Sequence, residues 1–231
     1  MTKIIILIGL PGAGKSTWAK KKALEDPGVM IVNKDAIREM LFGRYDYKNN
    51  VEPLIHSIAL RAIGSCIERG YDVIVDETNL SKKNRLNICK DIHTMAEELK
   101  QRADIHYIEY KPSVEHLKRR LLDKRGYSEG RWIKVYNEMM EAYDPVTNEE
   151  LKEAGVSSLG VIQKKRYCAS DEDWYLNQRI YCAAHELPVL VPSSGYCHFC
   201  HRYMTNTEGW FGKAMHTHIT NCPHCKHSFC E

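Results

Sequence analysis

The stretch "KIIILIGLPGAGKSTWAKKKALE", residues 3–25, decides how the chain is read. Residues 3–8 form a continuous β-branched, apolar run, the pattern of a strand buried on both faces of a parallel sheet. Gly9, Pro11, Gly12, Ala13, Gly14, Lys15, Ser16 and Thr17 follow at once in G-x-x-x-x-G-K-[ST] spacing, and a helix is predicted from Lys15 to Glu25. By residue usage alone this spacing arises in roughly one chain in a hundred of this length. Its place between a strand and a helix makes accident rarer still. Triphosphate binding is the chemistry that needs this order. The loop N–H groups and the helix N-terminus face the phosphates, the Lys15 ammonium neutralises the β and γ oxygens, and the Ser16 hydroxyl ligates magnesium. ATP and Mg2+ are therefore the expected cofactors.

Outward from this stretch the same alternation continues. "VMIV" predicts a second strand and "NKDAIREMLFG" a helix that Asp35 is placed to cap. Apolar residues from Leu54 to Ile67 keep helical spacing up to Gly70, and "YDVIVDETNLS" reads as strand and turn. Ser81 is a candidate cap for a helix burying Ile88, Ile92, Met95, Ala96 and Leu99, and "DIHYIEY" supplies a further strand. Alternating elements predict an α/β fold, a parallel sheet flanked by helices. A later helix carries Trp132, Val135, Tyr136, Met139, Met140 and Tyr143 on one core-facing stripe, after a basic segment, "HLKRRLLDKRG". Residues 146–192 show no clear period, "SSLG" breaking the pattern, and are read as a connector.

Composition bounds the partners. Thirty-three Lys and Arg against 30 Asp and Glu leave +3, too little to bind a polyanion by net charge, so phosphate recognition must be local. No run of eighteen apolar residues exists and the N-terminal apolar stretch is too short for a signal peptide, which predicts a cytoplasmic protein with no membrane partner, in the host cytoplasm if a virus encodes it.

Four blocks in order, "IIILIGLPGAGKSTWA", "PGVMIVNKDAIR", "VIVDETNLS" and "DKRG" followed by "VYNEMMEAY", resemble the polynucleotide kinase branch of small P-loop kinases over roughly residues 1–143. The resemblance implies that Asp35 accepts the proton of the attacking hydroxyl and that Arg38 holds the neighbouring phosphate of the acceptor. It also implies a lid over ATP in "HLKRRLLDKRG", with Arg125 as the phosphate-binding arginine and Arg120 assisting. A carboxylate at a strand's C-terminal end lies by the ligand crevice of an open α/β sheet, which agrees with a catalytic Asp35. Without the resemblance, a helix cap and a solvated arginine explain Asp35 and Arg38 equally well. Asp76, ending "DVIV", stands where a carboxylate orders magnesium, with Glu77 as the alternative and Thr78 and Asn79 orienting the turn. "SDEDW" lacks a preceding apolar strand, so no phosphatase activity is expected.

Five of the nine cysteines lie after residue 195. "CHFC" and "CPHC", 21 residues apart, place Cys197, Cys200, Cys222 and Cys225 around one tetrahedral Zn2+, with Cys230, His216 and His218 as alternative ligands. Tyr196, Phe199, Tyr203, Trp210 and Phe211, interspersed with Arg202 and Lys213, either stack nucleic-acid bases or pack around the metal. Three segments are expected: a P-loop kinase domain at 1–145, the connector at 146–192 and a zinc ribbon at 193–231. The expected activity is ATP-dependent transfer of phosphate to a hydroxyl of DNA or RNA, foremost the 5'-OH end. A hydroxymethyl-pyrimidine in DNA, or a sugar or nucleoside, is the alternative acceptor.

Overall fold

The structure, a computed structural model, describes residues 1–43, 50–112, 116, 129–162, 178, 182, 187–191, 196–203 and 218–229. By compactness the chain divides into one unit of residues 1–128 and 138–164 and a second of residues 129–137 and 165–231.

The first unit is a five-stranded, wholly parallel sheet in the order β2-β3-β1-β4-β5. Its strands are β1 (Thr2–Ile8), β2 (Val29–Val32), β3 (Asp72–Val75), β4 (Ala103–Tyr110) and β5 (Val156–Ile162). The helices are α1 (Lys15–Glu25), α2 (Lys34–Phe42), α3 (Glu52–Arg69), α4 (Lys82–Glu98) and α6 (Asn148–Glu153); α5 (Glu129–Glu141) runs across the division of the units. Strand periodicity divides the apolar run of β1 between two layers. Ile4, Ile6 and Ile8 join Val73, Val75, Ile63, Ile67, Ile88 and Ile92 in the larger core, while Leu7 packs with Ala19, Ile74 and Trp18 on the opposite side. β1 is central because both its faces are apolar, and the chain leaves it at the point where the strand order reverses, where open α/β sheets bind ligands.

Two expectations change. "SSLG" lies inside β5, which pairs in parallel with β4. As an edge strand, β5 leaves Ser157, Ser158, Gly160 and Val161 exposed, so it lacks the continuous apolar run of a central strand. On α5 the buried side chains are Trp132, Ile133 and Tyr136, whereas Met140 is exposed. The stripe is therefore rotated towards Ile133 and does not extend to Met140. Among the described residues, no helix is long and apolar enough to cross a membrane.

In the second unit, β6 (Tyr196–Cys197) pairs antiparallel with β7 (Arg202–Tyr203), and Asn221 bridges Ser228 in a second narrow hairpin. Val191, Cys197, Ile219 and Cys222 make its small core, with Cys200 and Phe229 against them. Nearly all of "DEDWYLNQRIYCAAHE" lies outside the described residues; Gln178 and Cys182 within it are helical, and residues 187–190 of "LPVLVP" are not in a strand.

Arg85 and Glu150 form an ion pair with no exposed side-chain surface, Nε to Oε1 at 2.6 Å and Nη2 to Oε2 at 2.7 Å. The Nη1 group donates to the carbonyls of Asn79 and Leu80 at 3.1 and 2.6 Å. Burial would favour loss of the guanidinium proton, but hydrogen bonding and charge from Glu150 outweigh it. Arg85→Met is expected to strand the Glu150 carboxylate and cost about 3–5 kcal/mol in denaturant unfolding. The Arg85→Met/Glu150→Leu double variant should regain most of that, short of about 1–3 kcal/mol for the Asn79 carbonyl left without its donor, since Leu80 O still accepts from Asp144 N. Equal loss in both proteins would count against the charge argument.

Candidate functional site

The loop after β1 is shaped by close backbone approaches. Gly9 has φ +146°, and a Cβ there would lie 2.8 Å from Tyr110 Cβ, so only glycine lets the loop leave β1 beside the end of β4. Gly12, at φ +79°, is pressed more tightly, since a Cβ would stand 2.0 Å from the His116 carbonyl oxygen. Gly14 N-caps α1 without a side-chain cap, as a loop that offers its N–H groups to an anion must. Pro11 and Ala13 complete the curve, with Ala13 buried, and Ser16 and Thr17 are exposed on the first turn of α1. Lys15, only 7% exposed, folds back so that Nζ donates to the carbonyls of Gly9 and Leu10 at 2.7 and 3.0 Å. Its ammonium is thereby held over the loop.

The next two strand ends along the same edge carry the acidic residues. Asp76 follows β3, its N–H donating to Val32 O at 2.9 Å. Asn33, between β2 and α2, donates from Nδ2 to Asp76 O at 2.6 Å and Asp76 Oδ2 at 3.0 Å, while its Oδ1 accepts from Ala36 N. Asn33, not Asp35, is thus the cap of α2, because it sits immediately before the first helical residue. Asp35 lies within the first turn with an exposed side chain and accepts from Arg38 Nη1 at 2.5 Å. Arg38 is not solvated: it is 7% exposed and donates from Nε and Nη2 to Glu52 at 2.8 and 2.7 Å. Those bonds push its pKa further up against the effect of burial. Glu77, the alternative considered to Asp76 for ordering magnesium, pairs with Lys34 at 3.0 Å.

The turn after Asp76 is clipped to β1. Thr78 O accepts from Gly9 N at 2.9 Å, and Asn79, in the left-handed region at φ +46°, donates from Nδ2 to Leu7 O at 2.9 Å. β3 lies between β2 and β1 in the sheet, so two strand spacings, about 10 Å, separate the strand leading to Asp35 from the strand leading to the loop. Ser16 and Asp76 are oxygen donors suited to a hard cation such as magnesium. Nearby, the buried Tyr110 hydroxyl has no hydrogen-bond partner among the described residues, and burial together with the charge of Asp76 pushes its pKa up to about 12. Arg120 and Arg125 of the expected lid lie outside the described residues. Asn33, Glu52 and Arg85 were not expected; only Asn33 carries a local signal, its place just ahead of a helix.

In the second unit the sulfurs of Cys197, Cys200, Cys222 and Cys225 all lie within 4.8 Å of one another. The separations Cys197–Cys225 and Cys200–Cys222 are 3.8 and 3.7 Å. A disulfide needs about 2.05 Å. A zinc with bonds of about 2.3 Å gives tetrahedral edges of about 3.8 Å, so the four sulfurs fit that ion. The two C-x-x-C turns share one geometry: His201 N donates to Cys197 O and Lys226 N to Cys222 O, both at 2.9 Å, with φ of +55° and +60° at His201 and Lys226. Burial would raise the Cys197 thiol, but the N–H groups of Cys200 and Phe199 and the neighbouring thiols bring it down to about 7. His218 instead contacts the Pro188 carbonyl at 2.8 Å, while His216 and Cys230 lie outside the described residues. Phe199, 57% exposed, stacks on His227 with centroids 3.3 Å apart, and Tyr196 OH lies 3.2 Å from His201 Nδ1. Trp210, Phe211 and Lys213 fall outside the described residues, as do the side chains of Arg202 and Tyr203.

Comparison with known proteins locates the first unit among families. The profile described as "AAA domain" matches residues 4–146. The chain is 35% identical over 98 residues to an L-seryl-tRNA(Sec) kinase of Methanococcus maripaludis; the match covers 39% of this chain and 37% of that protein, little more than a third of the relative's length. Among solved structures, one from the Pnkp1/Rnl/Hen1 complex is 28% identical, with 55% of this chain and 40% of the other covered at a TM-score of 0.43. A chain of the PezAT toxin–antitoxin system of Streptococcus pneumoniae is 16% identical, covering 74% and 70%, at a TM-score of 0.50, a likeness of fold.

The cysteine geometry generates its own test. Elemental analysis is expected to find one zinc per chain, and Cys222→Ser should release it and abolish the ordered melt of the second unit while the first unit keeps its own cooperative transition. Metal-free protein with four reactive thiols and an unchanged melt would contradict the assignment.

Proposed function

The chain belongs to the AAA-domain family of P-loop proteins, and on that premise we propose that it is an ATP-dependent kinase transferring the γ-phosphate to a hydroxyl of DNA or RNA, foremost the 5'-OH end. The observation that carries this reading is the Asp35–Arg38 pair at the strand edge two strands from the phosphate loop. A hydroxyl between the two needs a base on its far side, and a polynucleotide acceptor also brings a phosphate that needs a cation.

The roles follow from the groups. The acceptor oxygen attacks the γ-phosphorus, its proton passes to the Asp35 carboxylate, and the bond to the leaving ADP oxygen breaks. Lys15 stabilises the charge gathering on the β and γ oxygens; Arg38 holds the phosphate next to the acceptor hydroxyl. Ser16 and Asp76 are the residues to hold magnesium, which when bound neutralises phosphate charge. Arg125, with Arg120, is assigned the lid. We divide the chain functionally into a kinase domain that extends past the expected boundary at 145 to take in α6 and β5, and a zinc ribbon at 193–231. The exposed Phe199–His227 stack offers the ribbon a face for unpaired bases. The relative named for a seryl-tRNA supports a second reading, in which the acceptor hydroxyl is carried by an aminoacyl group on tRNA.

Transfer from radiolabelled ATP to 5'-OH DNA, 5'-OH RNA, seryl-tRNA, hydroxymethyl-pyrimidine DNA and free nucleosides separates these acceptors. Labelling of 5'-OH ends is expected. Lys15→Ala should abolish it, Asp35→Asn should lower kcat by about 10²–10⁴ with ATP binding retained, and Arg38→Ala should lower acceptor kcat/KM by about 10–100-fold. Added salt should weaken the oligonucleotide far more than a nucleoside. Efficient, salt-insensitive labelling of a nucleoside that ignores Arg38→Ala would replace this reading with a metabolite kinase.

A further inference from the structure

Arg38 is held from two sides. Its Nε and Nη2 donate to the two carboxylate oxygens of Glu52, and Nη1 donates to Asp35 Oδ1. A carboxylate gripping the Nε–Nη2 edge fixes the plane of a guanidinium as well as its position, which a single contact does not. Glu52 is itself set by the fold. It stands in the first turn of α3, where the helix N-terminus favours negative charge and Pro53 fixes the backbone, and α3 is anchored by Ile55, Ala59 and Ile63 in the core.

Two members of this chain of contacts are sheltered and one is open. The Arg38 and Glu52 side chains are 9% and 17% exposed, that of Asp35 62%. Left alone, a carboxylate in the open first turn of a helix samples several rotamers. Tied through Arg38 to a half-buried anchor on another helix, it has one preferred direction.

We propose that Glu52 is a positioning residue for phosphoryl transfer, gripping Arg38 so that its Nη1 end orients the Asp35 carboxylate and its guanidinium plane is ready for the acceptor's phosphate. This rests on the nucleic acid kinase reading of Asp35 and Arg38. Glu52 touches no reacting atom and acts through Arg38. Its removal therefore damages use of the acceptor and the chemical step, and leaves ATP binding alone.

Steady-state kinetics on a 5'-OH oligonucleotide test this with wild type, Glu52→Gln, Glu52→Asp, Arg38→Ala and the Arg38→Ala/Glu52→Gln pair, each also melted thermally. Glu52→Gln is expected to lower kcat/KM for the acceptor by about 10–100-fold, with KM for ATP within about twofold of wild type. Glu52→Asp keeps the charge and should recover part of the loss. In the Arg38→Ala background, Glu52→Gln should cost less than about twofold, since a residue acting through Arg38 has nothing left to act on. A merely structural glutamate would instead lower the melting temperature and KM for ATP alike and add its full effect in that background, which overturns the proposal. If Glu52→Gln melts too early to assay, Glu52→Asp carries the cycle. A wild type that labels no 5'-OH end overturns the acceptor reading and this inference together; a wild type that does, with Glu52→Gln within twofold of it, overturns the Glu52 role alone.

Discussion

The candidate site hangs on a guanidinium that never meets water. Arg85 enters the core from α4, pairs with Glu150 on α6 and donates to the carbonyls of Asn79 and Leu80. Those carbonyls belong to the turn that follows Asp76, and the same turn accepts from Gly9 N and donates to Leu7 O. One buried cation therefore ties the start of α4, the turn after β3 and the helix leading to the edge strand. Replacing such a pair by apolar residues is often neutral for stability. Its use here is directional: an apolar side chain would fill the space but leave the Asn79 carbonyl unsatisfied, Leu80 O with only its bond from Asp144 N, and the turn unaimed.

The phosphate loop is constrained in a different way, by contact rather than charge. Gly9 lies against Tyr110 and Gly12 against the His116 carbonyl, closer than any Cβ would permit. The loop's shape is thus set by neighbouring backbone before an anion arrives, and its N–H groups need no reorganisation to receive one. Lys15 is anchored to the carbonyls of the same loop, which places the positive charge on the concave side.

Local periodicity made the central parts of this fold legible. The apolar run of β1, the spacing of the loop, the caps at Ser81 and Gly70 and the buried stripe of α4 are all encoded within a few residues of one another. What escaped depends on distant partners. β5 is an edge strand with Ser157, Ser158, Gly160 and Val161 exposed, so its sequence does not look like a central strand of a parallel sheet. Arg85 shares the stripe of Ile88 and Ile92 but looks like a surface arginine until Glu150, 65 residues away, is seen beside it. Asn33 and Asp35 are both competent caps by residue type, and only the helix start, which the sequence leaves open by two residues, distinguishes them. The C-x-x-C pairs, in contrast, announced their cluster through spacing alone.

Asn33 shows why the ends of β2 and β3 are held in one frame. Its amide oxygen caps the helix bearing Asp35 and Arg38, while its amide nitrogen grips both the carbonyl and the carboxylate of Asp76. The position demands an acceptor and a donor on one short side chain. Aspartate caps a helix as well but would set a second carboxylate against Asp76 and donate nothing. Serine has a donor and acceptor on one oxygen, which cannot face the helix N–H and the Asp76 carboxylate at once. Asparagine divides the two functions between separate atoms, so the ends of β2 and β3 are joined by a neutral group that adds no charge to a crevice already holding Asp35, Glu52, Asp76 and Glu77. The acidic residues can then lie close together along the sheet edge, with their positive partners Arg38 and Lys34 left to set the local balance.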